Sequence, residues 1–213
     1  MKLNYIITLL CVGPLVLTGC DDSKKPSESN FKAAAQKYLD TLYPACYIKA
    51  NFPYKTNGVS FNNVPEILHS MAEKGLVTEK ELSSKHIDAS WGTKAHDVII
   101  RSYDLTEEGK KYYKSDVAHN LKGQNIGGFC FGRATVTEVS NFTEPSDALG
   151  QKISRVSFIY KVSGIPDWAK TPEIMTANSQ LKKDVISESE GVKVTNIFLL
   201  TNKGWVHEKL FGN

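Results

Sequence analysis

The side chains able to do chemistry in this 213-residue chain are few and dispersed. His86, Asp88, His96 and Asp97 form the densest group of metal-type ligands. Two imidazoles and two carboxylates in one polar stretch could converge on zinc, although such residues more often belong to a solvated loop, and no bound metal is expected. Nucleophile and zinc-hydrolase signatures are missing: there is no Gly-x-Ser-x-Gly and no His-Glu-x-x-His. Glu107 and Glu108 are adjacent carboxylates, but they stand at an expected helix start, where the helix dipole accounts for them. Gly127-Gly128-Phe129-Cys130-Phe131-Gly132 is glycine-rich like a phosphate loop. It lacks the Lys-Ser/Thr ending and a following helix, so the reading preferred is a tight backbone approach flanked by packed aromatics. Trp91, Trp168 and Trp205 each lie near a glycine or proline. They could line a sugar or peptide groove, and core packing is the commoner fate of such residues.

Cysteine chemistry depends on where the chain resides, and its first twenty residues bear on that. Met1-Lys2 is a short positive start, and an apolar run extends from Tyr5 to Leu17. The run is too short and interrupted for a bilayer-spanning helix and reads as a secretory signal. Leu17-Thr18-Gly19-Cys20 resembles the lipobox of bacterial lipoproteins. The resemblance implies cleavage before Cys20, a diacylglyceryl thioether on its sulfur and an acyl chain such as palmitate on the new amino group. Two or three acyl chains hold a protein to a membrane durably, at about 0.8 kcal/mol per buried methylene. Asp21 and Asp22 resemble the retention signal of enterobacterial lipoproteins. They imply the periplasmic face of the inner membrane, with the outer membrane as the alternative.

Four cysteines occur, Cys11, Cys20, Cys46 and Cys130. On the lipoprotein reading Cys11 leaves with the signal and Cys20 carries lipid. Cys46 and Cys130 remain in an oxidising compartment, which implies a structural disulfide between them, the alternative being two buried thiols. The formal charge of +3 falls by one when Lys2 is removed, too small a balance to argue for nucleic acid or an acidic substrate.

Periodicity supplies the elements. Asp22 to Asn30 is a polar tether. Phe31, Ala34, Ala35, Tyr38, Leu39 and Leu42 recur at helical spacing behind a Ser29 or Asn30 cap, and Pro44 stops the helix. Cys46 to Phe52 reads as a short strand, and Asn57-Gly58 as a turn. Val64 to Lys74 is a second helix, followed by a polar excursion to Ala95, a strand from His96 to Leu105 and a helix from Thr106 to Lys114. Val117 to Gly132 reads as loop. Arg133 to Phe142 and Ile153 to Ser163 read as strands, and Thr171 caps one helix whose stripe is Ile174, Ala177, Leu181 and Val185. Val192 to Thr201 pairs through Asn202-Lys203-Gly204 with Trp205 to Glu208.

Glu73-Lys74-Gly75-Leu76-Val77, the polar excursion, and Tyr103-Asp104-Leu105-Thr106-Glu107-Glu108-Gly109-Lys110-Lys111-Tyr112 together resemble the second half of a winged-helix domain, over residues 64–114. The resemblance implies a DNA-reading helix before Gly-Leu-Val, a wing and a closing helix. The polar side of that helix carries Glu66, His69, Ser70, Glu73 and Lys74, whereas counterion displacement needs net positive charge, so no nucleic-acid partner is expected.

The expected fold is α+β: a helix-rich N-terminal half with a winged-helix-like segment, and an antiparallel sheet with one helix in the C-terminal half. The expected divisions are a signal peptide over 1–19, lipidated Cys20 and a tether over 20–29, a helical region over 30–125 and a sheet region over 126–213. The function expected is that of a membrane-anchored periplasmic lipoprotein without catalytic activity or cofactor, an accessory component engaging an envelope protein. The alternative is a small-ligand-binding module, and a hydrolase ranks below both. An exposed apolar patch favours an interaction protein, and a deep pocket with converging polar groups favours a ligand-binding module.

Overall fold

The computed structural model describes residues 22–57, 63–92, 94–148, 150–176 and 178–212. Residues 1–21, which include Cys11, Cys20 and Asp21, lie outside these residues, as does Gly58 of the expected turn; Asp22 is exposed at the start of the described chain.

Helix α1 spans Glu28–Leu42. Ser27, rather than Ser29 or Asn30, caps it by accepting from the Asn30 N–H at 3.3 Å. Phe31, Ala34, Ala35 and Leu39 are buried along one face. That face packs on a five-stranded antiparallel sheet built from β7 (Arg133–Phe142), β8 (Ser146–Ala148), β9 (Gln151–Ser163), β10 (Val192–Thr201) and β11 (Gly204–His207). The order is β11-β10-β9-β7, with β8 also on β9. Helix α1 meets both edge strands, β7 and β11, and the sheet curls as a half-barrel about it. Gln36 fastens α1 to the β7 edge: its Nε2 donates to Ala134 O at 3.0 Å and its Oε1 accepts from Val136 N at 2.9 Å. Those bonds occupy backbone groups that an edge strand otherwise leaves open. Phe31 is fully buried against Phe142, Phe198 and Trp205, a burial contributing about 2–3 kcal/mol.

A three-stranded sheet has the order β1-β6-β5, with β1 at Ala45–Lys49, β5 at Tyr113–His119 and β6 at Asn125–Phe131. Another, ordered β2-β4-β3, comprises β2 (Tyr54–Lys55), β3 (Val77–Ile87) and β4 (His96–Leu105). Helix α2 (Val64–Glu73) packs on β3 and on α4 (Pro172–Thr176), while α5 (Ser179–Glu190) lies on β9 and β10. One continuous core runs from Phe31 to Trp205.

The expectation of a helix-rich N-terminal half is therefore corrected. Six of the eleven strands among the described residues precede Gly132, and the structure is mostly antiparallel sheet. The polar excursion is strand: β3 runs eleven residues and pairs with β4 from Val77↔Leu105 to Ile87↔His96. Both faces of most of β3 meet solvent, so the alternation that betrays a half-buried strand is missing. The closing helix of the winged-helix expectation shrinks to a single turn, α3 (Glu107–Lys110), and Tyr113 already opens β5. Thr106 Oγ1 caps that turn from the Gly109 N–H at 3.0 Å, and a Cβ on Gly109 would stand 1.9 Å from Leu76 O. The Leu-Thr-Glu-Glu-Gly motif thus seats one tight turn on the Gly75-Leu76 connection between α2 and β3. The loop expected over 117–132 is largely the β5–β6 hairpin. The single C-terminal helix is two, α4 and α5, because Asn178 caps anew by accepting from Gln180 N at 2.8 Å.

Candidate ligand-binding cleft

The last two turns of α1 project Tyr38, Leu39 and Leu42 on its sheet-facing side, and Tyr43 follows as the C-cap residue. Strand β9 directs Phe158 and Tyr160 to the same face, two residues apart, and β10 contributes Val194, which lies opposite Phe158, and Asn196. Gln180, in the first turn of α5, closes one end, and Ala45 completes the wall. Together they enclose a cleft of about 360 Å³, within the range of small-molecule sites. Its walls are mostly aromatic and aliphatic; a polar group is offered by Gln180, by Asn196 and by each tyrosine.

Behind Tyr43 and Gln180 lies Asp184, which is fully buried. Its Oδ2 accepts from the Tyr43 hydroxyl at 2.9 Å and the Tyr47 hydroxyl at 2.6 Å, and its Oδ1 accepts from Gln180 Nε2 at 2.8 Å. The arrangement is positioned from two sides. Asn178 Nδ2 donates to Tyr47 O at 3.1 Å and ties α5 to β1, while Ser187 Oγ accepts from Val162 N at 2.9 Å and ties α5 to β9. Burial first, and then the Asp184 carboxylate, push the hydroxyl pKa values of Tyr43, Tyr47 and Tyr160 above the ordinary tyrosine range. The Tyr43 and Tyr47 hydroxyls act as neutral donors to Asp184.

The outer wall has its own support. The Tyr38 ring stacks on His207, with centroids 3.5 Å apart and planes 10° from parallel. His207 is fully buried; its Nδ1 accepts from Lys209 N at 3.0 Å, while its Nε2 has no hydrogen-bond partner among the described residues. Burial pushes its pKa below the usual imidazole value; Glu208 opposes that shift and Lys209 adds to it.

The candidates raised by the sequence lie elsewhere. His86 and Asp97 are cross-strand partners in β3 and β4, with Nδ1 2.6 Å from Oδ1. Asp88 lies 3.7 Å from His86 Nε2, and His96 Nδ1 contacts Lys94 O. Among the described residues no three His, Cys, Asp or Glu side chains converge in a way that could hold a metal. Glu107 pairs with Lys110 and Glu108 with Lys111 across one turn. Gly127 and Gly128 lie in β6, where a Cβ would stand 1.8 Å from the Tyr113 hydroxyl oxygen and 2.9 Å from Ile48 O, respectively. Cys46 and Cys130, opposite each other in β1 and β6, form the disulfide. Trp168 packs against Tyr112, Phe129 and Phe131, and Trp205 against Phe31, whereas Trp91 is wholly exposed beyond the end of β3.

Sequence reasoning placed Tyr38 and Leu42 on the α1 stripe but assigned that stripe wholly to core. It missed Asp184, hidden in a polar run of α5. The one local signal was an α1 stripe wider than four core positions require. Compared with protein-family models, curated proteins and solved structures, the chain finds no match among any of the three.

Proposed function

We propose that the protein is a lipid-anchored module of the bacterial cell envelope that binds a small, largely apolar ligand in the cleft between α1 and the half-barrel sheet. The observation that carries this reading is the convergence of aromatic walls from α1 and β9 on the hydrogen-bonded Asp184 group. The exposed large apolar side chains are distributed over α1, β3, the turns at Trp91 and Leu121, α5 and Phe211, which gives an envelope-protein partner less to recognise than the cleft gives a ligand. No described helix is long and apolar enough to cross a membrane, and the anchor in this reading is the thioether on Cys20, with Asp21 and Asp22 retaining the protein at the inner membrane.

The cleft is tested with the neutral dye Nile red. It should bind the lipidated protein saturably at one equivalent, and Asn196→Trp, which fills the cleft, should weaken that binding at least about tenfold, equivalent to about 1.4 kcal/mol. Unsaturable binding, or equal affinity in the variant, removes the cleft as the site. The anchor is tested by metabolic labelling with a fatty-acid probe: Cys20→Ala should carry no label, and persistent label would sink the lipoprotein reading.

A further inference from the structure

The geometry points to an organic cation with an apolar body, a substituted ammonium, as the class of ligand that the cleft takes. The inference rests on the binding reading and adds the ligand's charge. Phe158 and three tyrosines, Tyr38, Tyr43 and Tyr160, surround the cleft, and aromatic faces attract cations through their ring quadrupoles. Among the described residues, no Lys, Arg, Asp or Glu lines it. The carboxylate placed to act on it is that of Asp184, one hydrogen bond behind the surface through Tyr43 and Gln180.

All three donors to that carboxylate are neutral, and among the described residues no ion pair reaches it. After burial, the Asp184 carboxylate is the largest influence on the Tyr43, Tyr47 and Tyr160 hydroxyls. A buried negative charge held by neutral dipoles leaves a negative potential in the space in front of it, and a low-dielectric wall strengthens that potential. An anion entering the cleft meets both this charge and the faces of the rings. A neutral ligand gains from neither. A diffuse ammonium gains from both.

Three probes sharing one apolar body separate these cases: 4-phenylbutyltrimethylammonium, 4-phenyl-1-butanol and 4-phenylbutyrate, titrated calorimetrically into the lipidated full chain in one mild detergent. The cation should bind at least tenfold tighter than the alcohol, and the carboxylate weakest. Asp184→Asn should reduce the cation's advantage over the alcohol to threefold or less. Tyr160→Leu, which removes a ring and keeps the acid, should cut the cation's affinity more than the alcohol's. If Asp184→Asn does not fold, the wild-type probe order and the Tyr160→Leu result decide. Equal binding of cation and alcohol overturns the inference and leaves the ligand-binding reading standing. Failure of all three probes, with Nile red also unbound, overturns both. Dihexanoylphosphatidylcholine carries the same trimethylammonium beside a phosphate. Tighter binding than the simple cation identifies a lipid headgroup as the source, weaker binding a free amine, and either order supports a cationic ligand.

Discussion

Asp184 holds the cleft wall together through two tyrosine hydroxyls and one amide, and each bond can be removed singly. Tyr47 lies within β1, outside the cleft lining, so Tyr47→Phe tests the carboxylate's support without changing the wall. It leaves Asp184 two donors, and hydrogen bonds to a charged group contribute about 1.5–3 kcal/mol each. The variant should lose an amount in that range, read from urea unfolding. His207 carries a pH dependence. Its pKa in the folded protein lies below the usual imidazole value because burial opposes charging, so the unfolded chain takes up a proton that the folded chain refuses. This contribution is fully present above about pH 6.5, the unfolded value, and falls as the pH drops through the interval below it, by at most about 1.4 kcal/mol per pH unit. The groups around the ring are Tyr38, Phe198, Glu208 and Lys209. His207→Phe keeps a ring against Tyr38 and removes the titration. Between pH 7 and 5.5 its urea midpoint should therefore fall less than that of the wild type, and parallel falls would show that folding does not lower the His207 pKa.

Among the elements, β1 and β6 carry the covalent link. Cys46 and Cys130 close a loop with a sequence separation of 84, and losing such a bond costs about 2–5 kcal/mol in small exported domains. Cys46→Ser, Cys130→Ser and the double variant should lose similar amounts, because all three lack the same bond, and a non-reduced digest of the wild type should recover the two peptides joined. Two quantitatively alkylatable thiols in native protein would rule the bond out. The one-turn helix α3 is a sharper test of backbone approach. A methyl group at Gly109 meets the Leu76 carbonyl at 1.9 Å, a backbone atom that cannot rotate away. Gly109→Ala should lower the unfolding free energy by about 1–3 kcal/mol, the usual cost of overpacking. The adjacent exposed position Lys110→Ala should cost far less, since its ion pair with Glu107 lies at the surface.

For the whole molecule, the surface around α2 argues against duplex DNA. His69 is engaged by Glu79 at 2.6 Å and flanked by Glu73, and Arg101 is paired with Glu79 at 2.9 Å. The protein should give no salt-dependent shift of duplex DNA at physiological ionic strength, and submicromolar binding, roughly the range of specific binders, would overturn the envelope reading as well. The residues by themselves determined those elements whose own pattern meets a single environment. Helix α1 shows a helical stripe ended at Pro44, β9 alternates because one face is buried, and the β10–β11 hairpin turns at Asn202-Lys203. Counting cysteines pointed to Cys46 with Cys130, the pair joined in the structure. Only the tertiary structure decided β3 and the cleft. The solvated faces of β3 carry no alternation, and its strand state comes from ladder bonds to a partner closed by a hairpin. The cleft draws on residues 38–45, 158–160, 180 and 194–196. Nothing local relates Asp184 to Tyr47, 137 positions away; the docking of α5 on β9 and the anchoring of its first turn to β1 bring them within hydrogen-bonding distance.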